Sequence, residues 1–256
     1  MPSFAIHTIC GKEILKELNF NNLEEKEFLI GNILPDVSRV RSYKKMDSHN
    51  QRKSIQDIKN ITHFRIEDDI ILSYPDVDKF LKKYLKDIQE RNIVTLAYFF
   101  HLYTDYYYFK VFLPGILSFY DKDMKDTNSK SNVYYAKVNR TGEIIKYKVL
   151  FNKDDDEGIY KDYSISNKFL INKYKLDIDY DDLIEYIDQY GFNTNVKETK
   201  AIYAYYAVIK LRKYLQDLSL VDDELHIFCK EELDGLVDNI INSFKKDYGY
   251  LLGYYK

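Results

Sequence analysis

The most apolar stretch of the chain reads NIVTLAYFFHLYTDYYYFKVFL over residues 92–113 and is followed by a Pro-Gly pair. Its apolar residues fall on every side of a helical wheel, as in a helix surrounded either by protein or by lipid. His101, Asp105 and Lys110 interrupt it, and Asp or Lys at the centre of a membrane helix costs about 2.5–3.5 kcal/mol. We therefore predict a buried central helix and not a membrane span.

Helical periodicity recurs on both sides of this segment. Only nine Gly and four Pro occur among 256 residues, which favours long helices. Ser3 is a plausible N-cap for the first helix, and Pro35 is expected to end the second. The pattern predicts helices over residues 3–18, 23–34 and 73–91 before the central segment, and within residues 167–174, 181–190, 197–218 and 229–246 after it.

One region carries a β signal. The segments VYYAKV (133–138) and EIIKYKVLF (143–151) flank NRTG, which predicts a hairpin with its turn near Gly142. We expect this hairpin, residues 132–152, to be an insertion in a single helical domain that spans residues 1–256. The predicted fold class is therefore mainly α with one small β-hairpin.

Composition excludes several functional classes. Lys and Arg total 38 against 41 Asp and Glu, a net charge of −3, so no global basic field indicates nucleic-acid binding. Cys10 and Cys229 form no CxxC pair, and the first residues lack the features of a secretion signal, so a cytoplasmic location is predicted. Composition indicates no oligomeric state.

Three of the five histidines, His7, His63 and His101, lie among apolar residues. His101 and Asp105 are four residues apart, so both side chains project from one helical face and can reach the same ion. A buried hydrogen-bonded His-Asp pair would satisfy the same spacing without a metal. Spacing alone leaves both interpretations open.

The order of the motifs resembles the bacterial zinc-dependent phospholipase C family, whose helical fold is shared with fungal zinc nucleases. The matching text is AIHTICGKEIL (5–15), FLIGNILPD (28–36), THF (62–64) and LAYFFHLYTD (96–105). The resemblance covers about the first 115 residues. It implies that His7, Asp36, His63, His101 and Asp105 bind metal, with Asp105 as the natural bridge between two ions.

The resemblance also implies a chemistry, namely hydrolysis of a small anionic phosphoester by metal-activated water, with Asp36 and Asp105 as the catalytic carboxylates. Imidazole and carboxylate ligands suit zinc, and also iron or manganese. The chain departs from the pattern of that family in two ways, and both argue for one or two bound ions in place of the three that the family binds. The family uses a processed N-terminal residue as a ligand, whereas here six residues precede His7. The family also has a further histidine soon after HxxxD and then an HxxxE pair. Here no histidine follows Asp105 closely, and His226 stands five and six residues before two glutamates, so no HxxxE pair is formed.

Other interpretations remain. The chain could be a non-catalytic relative that binds metal and a partner, which the missing ligands favour. A nucleotide phosphohydrolase of the HD type is less favoured, because no His-Asp dipeptide occurs. The basic segment between Arg39 and Lys53, which contains His49, could attract an anionic substrate or form a solvated loop. Asp162 and Asn167 could approach the site from the second half of the chain.

Overall fold

The computed structural model describes residues 3–37, 58–66, 69–152, 158–218 and 224–255. Helices dominate these ranges, with one small antiparallel sheet, and this confirms the predicted mainly-α class. The elements in chain order are α1 (Phe4–Leu15), α2 (Asn22–Ile33), α3 (Val77–Gln89), α4 (Ile93–Tyr107), a π-helical turn (Tyr108–Phe112), α5 (Leu113–Ile116), β1 (Leu117–Tyr120), β2 (Tyr135–Val138), β3 (Ile144–Lys146), α6 (Tyr147–Leu150), α7 (Ile159–Tyr174), α8 (Tyr180–Tyr190), α9 (Tyr203–Leu218), α10 (Lys230–Asp234), α11 (Leu236–Leu252) and a final 3₁₀ turn (Gly253–Tyr255).

Side-chain caps fix the starts of the helices that carry the site. Ser3 caps α1 by accepting the backbone N–H of Ile6, as its position in the sequence predicted. Asn21 and Glu24 form a capping box at α2. The helix predicted over residues 73–91 begins later than expected, because Asp76 is its N-cap. Each such cap satisfies a backbone N–H that the helix leaves unpaired.

Helix α4 is the central element. Every residue from Ile93 to Asp105 is buried, because α1, α2, α3 and α11 all pack around it. Phe80 of α3 stacks on Tyr98 with ring centroids 5.6 Å apart, and Phe244 of α11 packs edge-on against Phe100. Among the residues that the structure describes, no helix combines the length and apolar character needed to cross a membrane.

Helices α2 and α4 cross at very short distance, and a glycine makes this possible. A Cβ atom on Gly31 would lie 3.0 Å from Cβ of Ala97 and 3.2 Å from Cα of Val94. These contacts are too close for a side chain unless the backbone shifts. The crossing brings the end of α2, and the Asp36 turn that follows it, next to the face of α4 that carries His101.

The predicted hairpin is present, with Gly142 in the left-handed conformation at its turn, but two local predictions are wrong. A third strand, β1, pairs with β2 where no strand was expected. Residues 147–150 form helix α6 and do not continue the strand, because Lys146 already lies opposite Tyr135, the first residue of β2.

The central helical run also continues through Pro114, which stands at the start of α5, where a missing N–H costs little.

Candidate metal centre

The structure brings the five predicted ligands, His7, Asp36, His63, His101 and Asp105, together in the interior. His7 comes from α1, His101 and Asp105 from α4, and Asp36 and His63 from the turns after α2 and after residues 58–62. They form two overlapping groups, His7–His101–Asp105 and Asp36–His63–His101. In each group the available ligand atoms lie within 4.8 Å of one another, so either group could hold a metal ion.

Asp105 lies between the two groups. Its Oδ1 is 3.4 Å from Nε2 of His7, and its Oδ2 is 3.7 Å from Nε2 of His63. Nε2 of His63 is also 3.3 Å from Oδ1 of Asp36. The two oxygens of Asp105 therefore face different histidines, which is the arrangement that a bridging carboxylate requires.

A backbone carbonyl orients His101. Its Nδ1 lies 2.7 Å from the carbonyl oxygen of Asn32 in α2. Because a carbonyl can only accept, Nδ1 carries the proton and Nε2 is left with a free lone pair. Metal-binding histidines are commonly oriented by a hydrogen bond of this kind. The carbonyl of Asn32 thus prepares His101 as an Nε2 ligand.

His63 is oriented in the same way by its own helical turn. Its Nδ1 lies 3.1 Å from the carbonyl oxygen of Lys59 and 2.9 Å from the hydroxyl of Thr62. With the Nδ1 proton donated to the Lys59 carbonyl, Nε2 of His63 is unprotonated and lies 3.4 Å from Nε2 of His101. Two lone pairs that face each other repel, so the pair is stabilised when a cation or a proton lies between them.

The environment shifts the pKa values of four of the five side chains, those of Asp36, His63, His101 and Asp105. Burial lowers the pKa of His101 well below 6.5, and the nearby His7 lowers it further. Burial also lowers the pKa of His63. For Asp105 burial opposes ionisation, but the neighbouring imidazoles outweigh it and hold its pKa below the usual value; the same balance lowers the pKa of Asp36. His63 and His101 are therefore favoured as neutral imidazoles, and Asp36 and Asp105 as ionised carboxylates, as metal binding requires.

The site contains buried polar atoms without hydrogen-bond partners in the described part of the chain. They are both ring nitrogens of His7, Oδ1 of Asp36 and both oxygens of Asp105. Leaving a buried donor or acceptor unpaired costs about 1–3 kcal/mol, and more for a charged group. Nitrogen and oxygen atoms of this type are the ligands that zinc, iron and manganese accept. The residues therefore fit a divalent cation.

Helix α2 supports the site through Asn32. Its side-chain amide donates to the carbonyl oxygen of His7 at 2.5 Å, while its own carbonyl holds His101. A Cβ atom on Gly11 would lie only 2.7 Å from that amide nitrogen, so glycine leaves room for the contact. Tyr98 donates to the carbonyl oxygen of Thr62 at 2.6 Å and so fixes the turn that carries His63.

These supporting contacts were not predicted from the sequence. Four of them use backbone carbonyls, those of His7, Asn32, Lys59 and Thr62, whose positions follow from the packing of the helices and not from residue type. The only sequence signal was indirect: a polar Asn32 within the otherwise apolar end of α2.

The remaining residues considered from the sequence lie elsewhere. The basic segment between Arg39 and Lys53, with His49, is outside the described residues. His226 forms a half-exposed ion pair with Glu143 at 3.1 Å. Asp162 accepts the backbone N–H groups of residues 226–228, and Asn167 accepts from the N-cap Ser3. Neither Asp162 nor Asn167 belongs to the two ligand groups.

Comparison of the chain with protein-family models, with curated proteins and with solved structures finds no match.

Proposed function

We propose that the protein is a metal-dependent hydrolase that acts on phosphoesters. The observation that supports this most is the convergence of five buried imidazole and carboxylate side chains, whose ligand atoms face one another and in part lack any other partner in the described chain. A bound cation would offset the cost of desolvating such a buried polar set.

The two ligand groups share His101, and only one nitrogen of this residue is available, because the carbonyl of Asn32 occupies the other. One ion therefore takes Nε2 of His101, and a second would rely on the other residues and on Asp105 as a bridge. We propose zinc, in one or two copies, with iron or manganese as alternatives. When bound, such a cation lowers the pKa of a coordinated water and polarises a phosphoryl oxygen.

The roles of the chain's own residues follow from their positions. The carbonyls of Asn32 and Lys59 hold the two imidazoles in the metal-binding tautomer. Asp36, at 9% exposure, is the least buried of the five, whereas the others are at most 1% exposed. A substrate would thus approach from the side of Asp36, and Asp36 and Asp105 are the carboxylates proposed to accept a proton from attacking water.

The similarity of the motifs to the zinc-dependent phospholipase C family supports this proposal and suggests the substrate class. In the sequence, the basic residues between Arg39 and Lys53 directly follow the Asp36 turn, which favours a small anionic substrate. A soluble phosphoester fits these features as well as a lipid does.

Elemental analysis of the purified protein tests the proposal, together with hydrolysis of a panel of phosphoesters. Near-stoichiometric metal is expected, with both metal and activity lost in Asp105→Asn. Asp162→Asn is the matched control, because Asp162 is an equally buried carboxylate outside the ligand groups. Absence of metal after incubation with zinc, iron and manganese would refute the proposal.

A second candidate is a metal-binding protein without catalytic activity. No further histidine or glutamate joins the two ligand groups among the described residues, so the additional ligands of the similar phospholipases have no counterpart there. In this case metal would be bound and chelation would lower the melting temperature, but no phosphoester of the panel would be hydrolysed. Activity that requires Asp105 would exclude this alternative.

A further inference from the structure

Four exposed apolar side chains form a continuous stripe on the outer face of α9 and the residue before it. They are Ile202, Tyr205, Tyr206 and Ile209, with exposures of 71, 43, 46 and 39%. Their spacing of three, one and three residues places them on one side of the helix. We refer to these four residues as the outer stripe.

The outer stripe is unusual because α9 already buries its other face, so that an exposed face and a buried face of the same helix are both apolar. Tyr203, Ala204, Ala207 and Val208 alternate with the stripe and pack into the protein. A surface helix normally presents polar residues to water, and a helix that is apolar all round is normally covered. Contiguous exposed apolar patches mark interaction sites. The beginning of α9 thus has an apolar face that stays exposed to solvent within the described part of the chain.

The order of residues in the outer stripe is the same in both directions: Ile, Tyr, Tyr, Ile with symmetric spacing. In two antiparallel α9 helices related by a two-fold axis between residues 205 and 206, Ile202 lies opposite Ile209 of the partner subunit. Tyr205 then lies opposite Tyr206 of the partner subunit. A two-fold interface requires a self-complementary surface, and the outer stripe provides one.

Charge is compatible with a second copy. Residues 201–209 contain no charged side chain, so the antiparallel pair buries no charge beneath the stripe; Lys200 and Lys210 stand at its two ends, and the exposed Lys213 follows one turn later. In the antiparallel pair the two Lys213 residues are separated by 15 helical positions, about 22 Å along the axis. This exceeds the screening length of about 8 Å at physiological ionic strength.

We propose that the protein forms a two-fold symmetric dimer through the outer stripe of α9, with the two helices antiparallel. A standard interface buries about 800 Å² per partner and uses 20–30 residues. One helix face supplies less area than that, so we expect a weak dimer that forms only at high protein concentration. This proposal is independent of metal binding and of hydrolysis.

Sedimentation velocity over a wide concentration range tests the dimer. The mass is expected to rise from 30.7 kDa towards twice that value in the native protein. The double variant Tyr205→Lys, Tyr206→Lys should stay monomeric, since Lys keeps the helix propensity but buries a charge at the interface. Tyr250→Lys is the control, because Tyr250 is 58% exposed on α11 and lies outside the stripe. A monomer at all concentrations, or a dimer that persists in the double variant, would overturn the proposal.

Cysteine cross-linking tests the antiparallel register, in a Cys229→Ser background because Cys229 is partly exposed. An oxidised equal mixture of Ile202→Cys and Ile209→Cys proteins should give a disulfide-linked dimer. Each variant alone should not, because two copies of residue 202 are about 10 Å apart along the axis, and a disulfide needs Cα atoms 4.4–6.8 Å apart. Cross-linking within each separate sample but not in the mixture would contradict the register. Binding of the monomer to anionic phospholipid vesicles, abolished in the Tyr205, Tyr206 variant, would assign the stripe to a membrane and overturn the dimer.

Discussion

The imidazole rings of His7 and His101 stack face to face, with centroids 3.7 Å apart and an angle of 15° between their planes. Two positive charges at this distance in a dry environment repel strongly, so the stack is stable only while at least one ring is neutral. His101 is also fully buried. The stack therefore makes the protein sensitive to acid.

We expect the metal-free protein to lose stability as the pH falls below about 6.5. In the unfolded chain a histidine takes up a proton near that pH, whereas burial lowers the pKa values of His63 and His101 in the folded protein. Because the unfolded state then binds more protons, the free energy of unfolding decreases with falling pH, by about 1.4 kcal/mol per pH unit for each such histidine. Urea denaturation between pH 7.5 and 5 in the presence of a chelator measures this slope.

His101→Gln isolates the contribution of one histidine to that slope. The variant removes one titrating group, so its free energy of unfolding should depend less steeply on pH, by about 1.4 kcal/mol per unit. Replacement of the half-exposed His226 by Gln is the control for the substitution itself. Equal slopes in the native protein and in His101→Gln would contradict the predicted protonation state.

Addition of zinc should raise the melting temperature. A ligand that binds only the folded state stabilises it by about 4 kcal/mol when its free concentration is 1,000 times Kd. Asp105→Asn removes the carboxylate of the His7–His101–Asp105 group, which also lies 3.7 Å from His63 of the other group, so the zinc-dependent shift should disappear. Calorimetry with and without zinc measures the shift. An equal shift in the native protein and in the variant would place zinc elsewhere.

Two tyrosines of α4 offer a matched test of positioning. Tyr98 donates to the carbonyl of Thr62 beside His63, whereas Tyr103 donates to the carboxylate of Asp247 and bonds with the hydroxyl of Ser243, both on α11 and away from the ligands. Replacement of either by Phe removes the hydroxyl and should cost about 1–2 kcal/mol of stability. Only Tyr98→Phe should also weaken zinc binding, by about tenfold or more, as loss of a supporting contact does. A calorimetric titration in which both variants bind equally would show that the Thr62 turn needs no such support.

Two glycines test the close crossing of α2 and α4. Gly31→Ala should destabilise the protein by about 1–3 kcal/mol, because its Cβ would meet the backbone of Val94, which cannot easily move. Gly249→Ala in α11 should stabilise it by about 0.5–1 kcal/mol, since a Cβ there meets no atom within 4 Å and alanine is the better helix former. Denaturation curves of the two variants measure both effects. A Gly31→Ala variant with an unchanged free energy of unfolding would mean that α2 and α4 can move apart without loss of stability.

Local patterns in the sequence were sufficient for most of the long helices and for the placement of the ligands on them, although α7 begins eight residues before the predicted segment 167–174. The spacing of His101 and Asp105 fixes them on one face of α4 whatever surrounds that helix. The N-cap at Ser3 and the hairpin turn at Gly142 depend only on nearby residues. Features of this kind are determined by a few consecutive residues.

Other features depend on distant residues and could not be predicted in that way. Strand β1 exists because β2 lies beside it, 15 or more residues later in the chain. Residues 147–150 alternate as a strand would, yet they form a helix once their partner strand has ended. The carbonyls that orient His63 and His101 belong to the backbone, which has the same chemistry at every position.

All five candidate ligands lie between positions 7 and 105, whereas α7 and α11, which pack against the helix that carries His7, come later in the sequence. During synthesis the ligands therefore leave the ribosome before the helices that bury them. A metal ion that arrives early meets an open set of side chains, and one that arrives after α11 has packed must enter a closed interior. Under the proposed metal binding, the order of the chain would make the timing of metal uptake relative to translation a determinant of how fully the site is loaded.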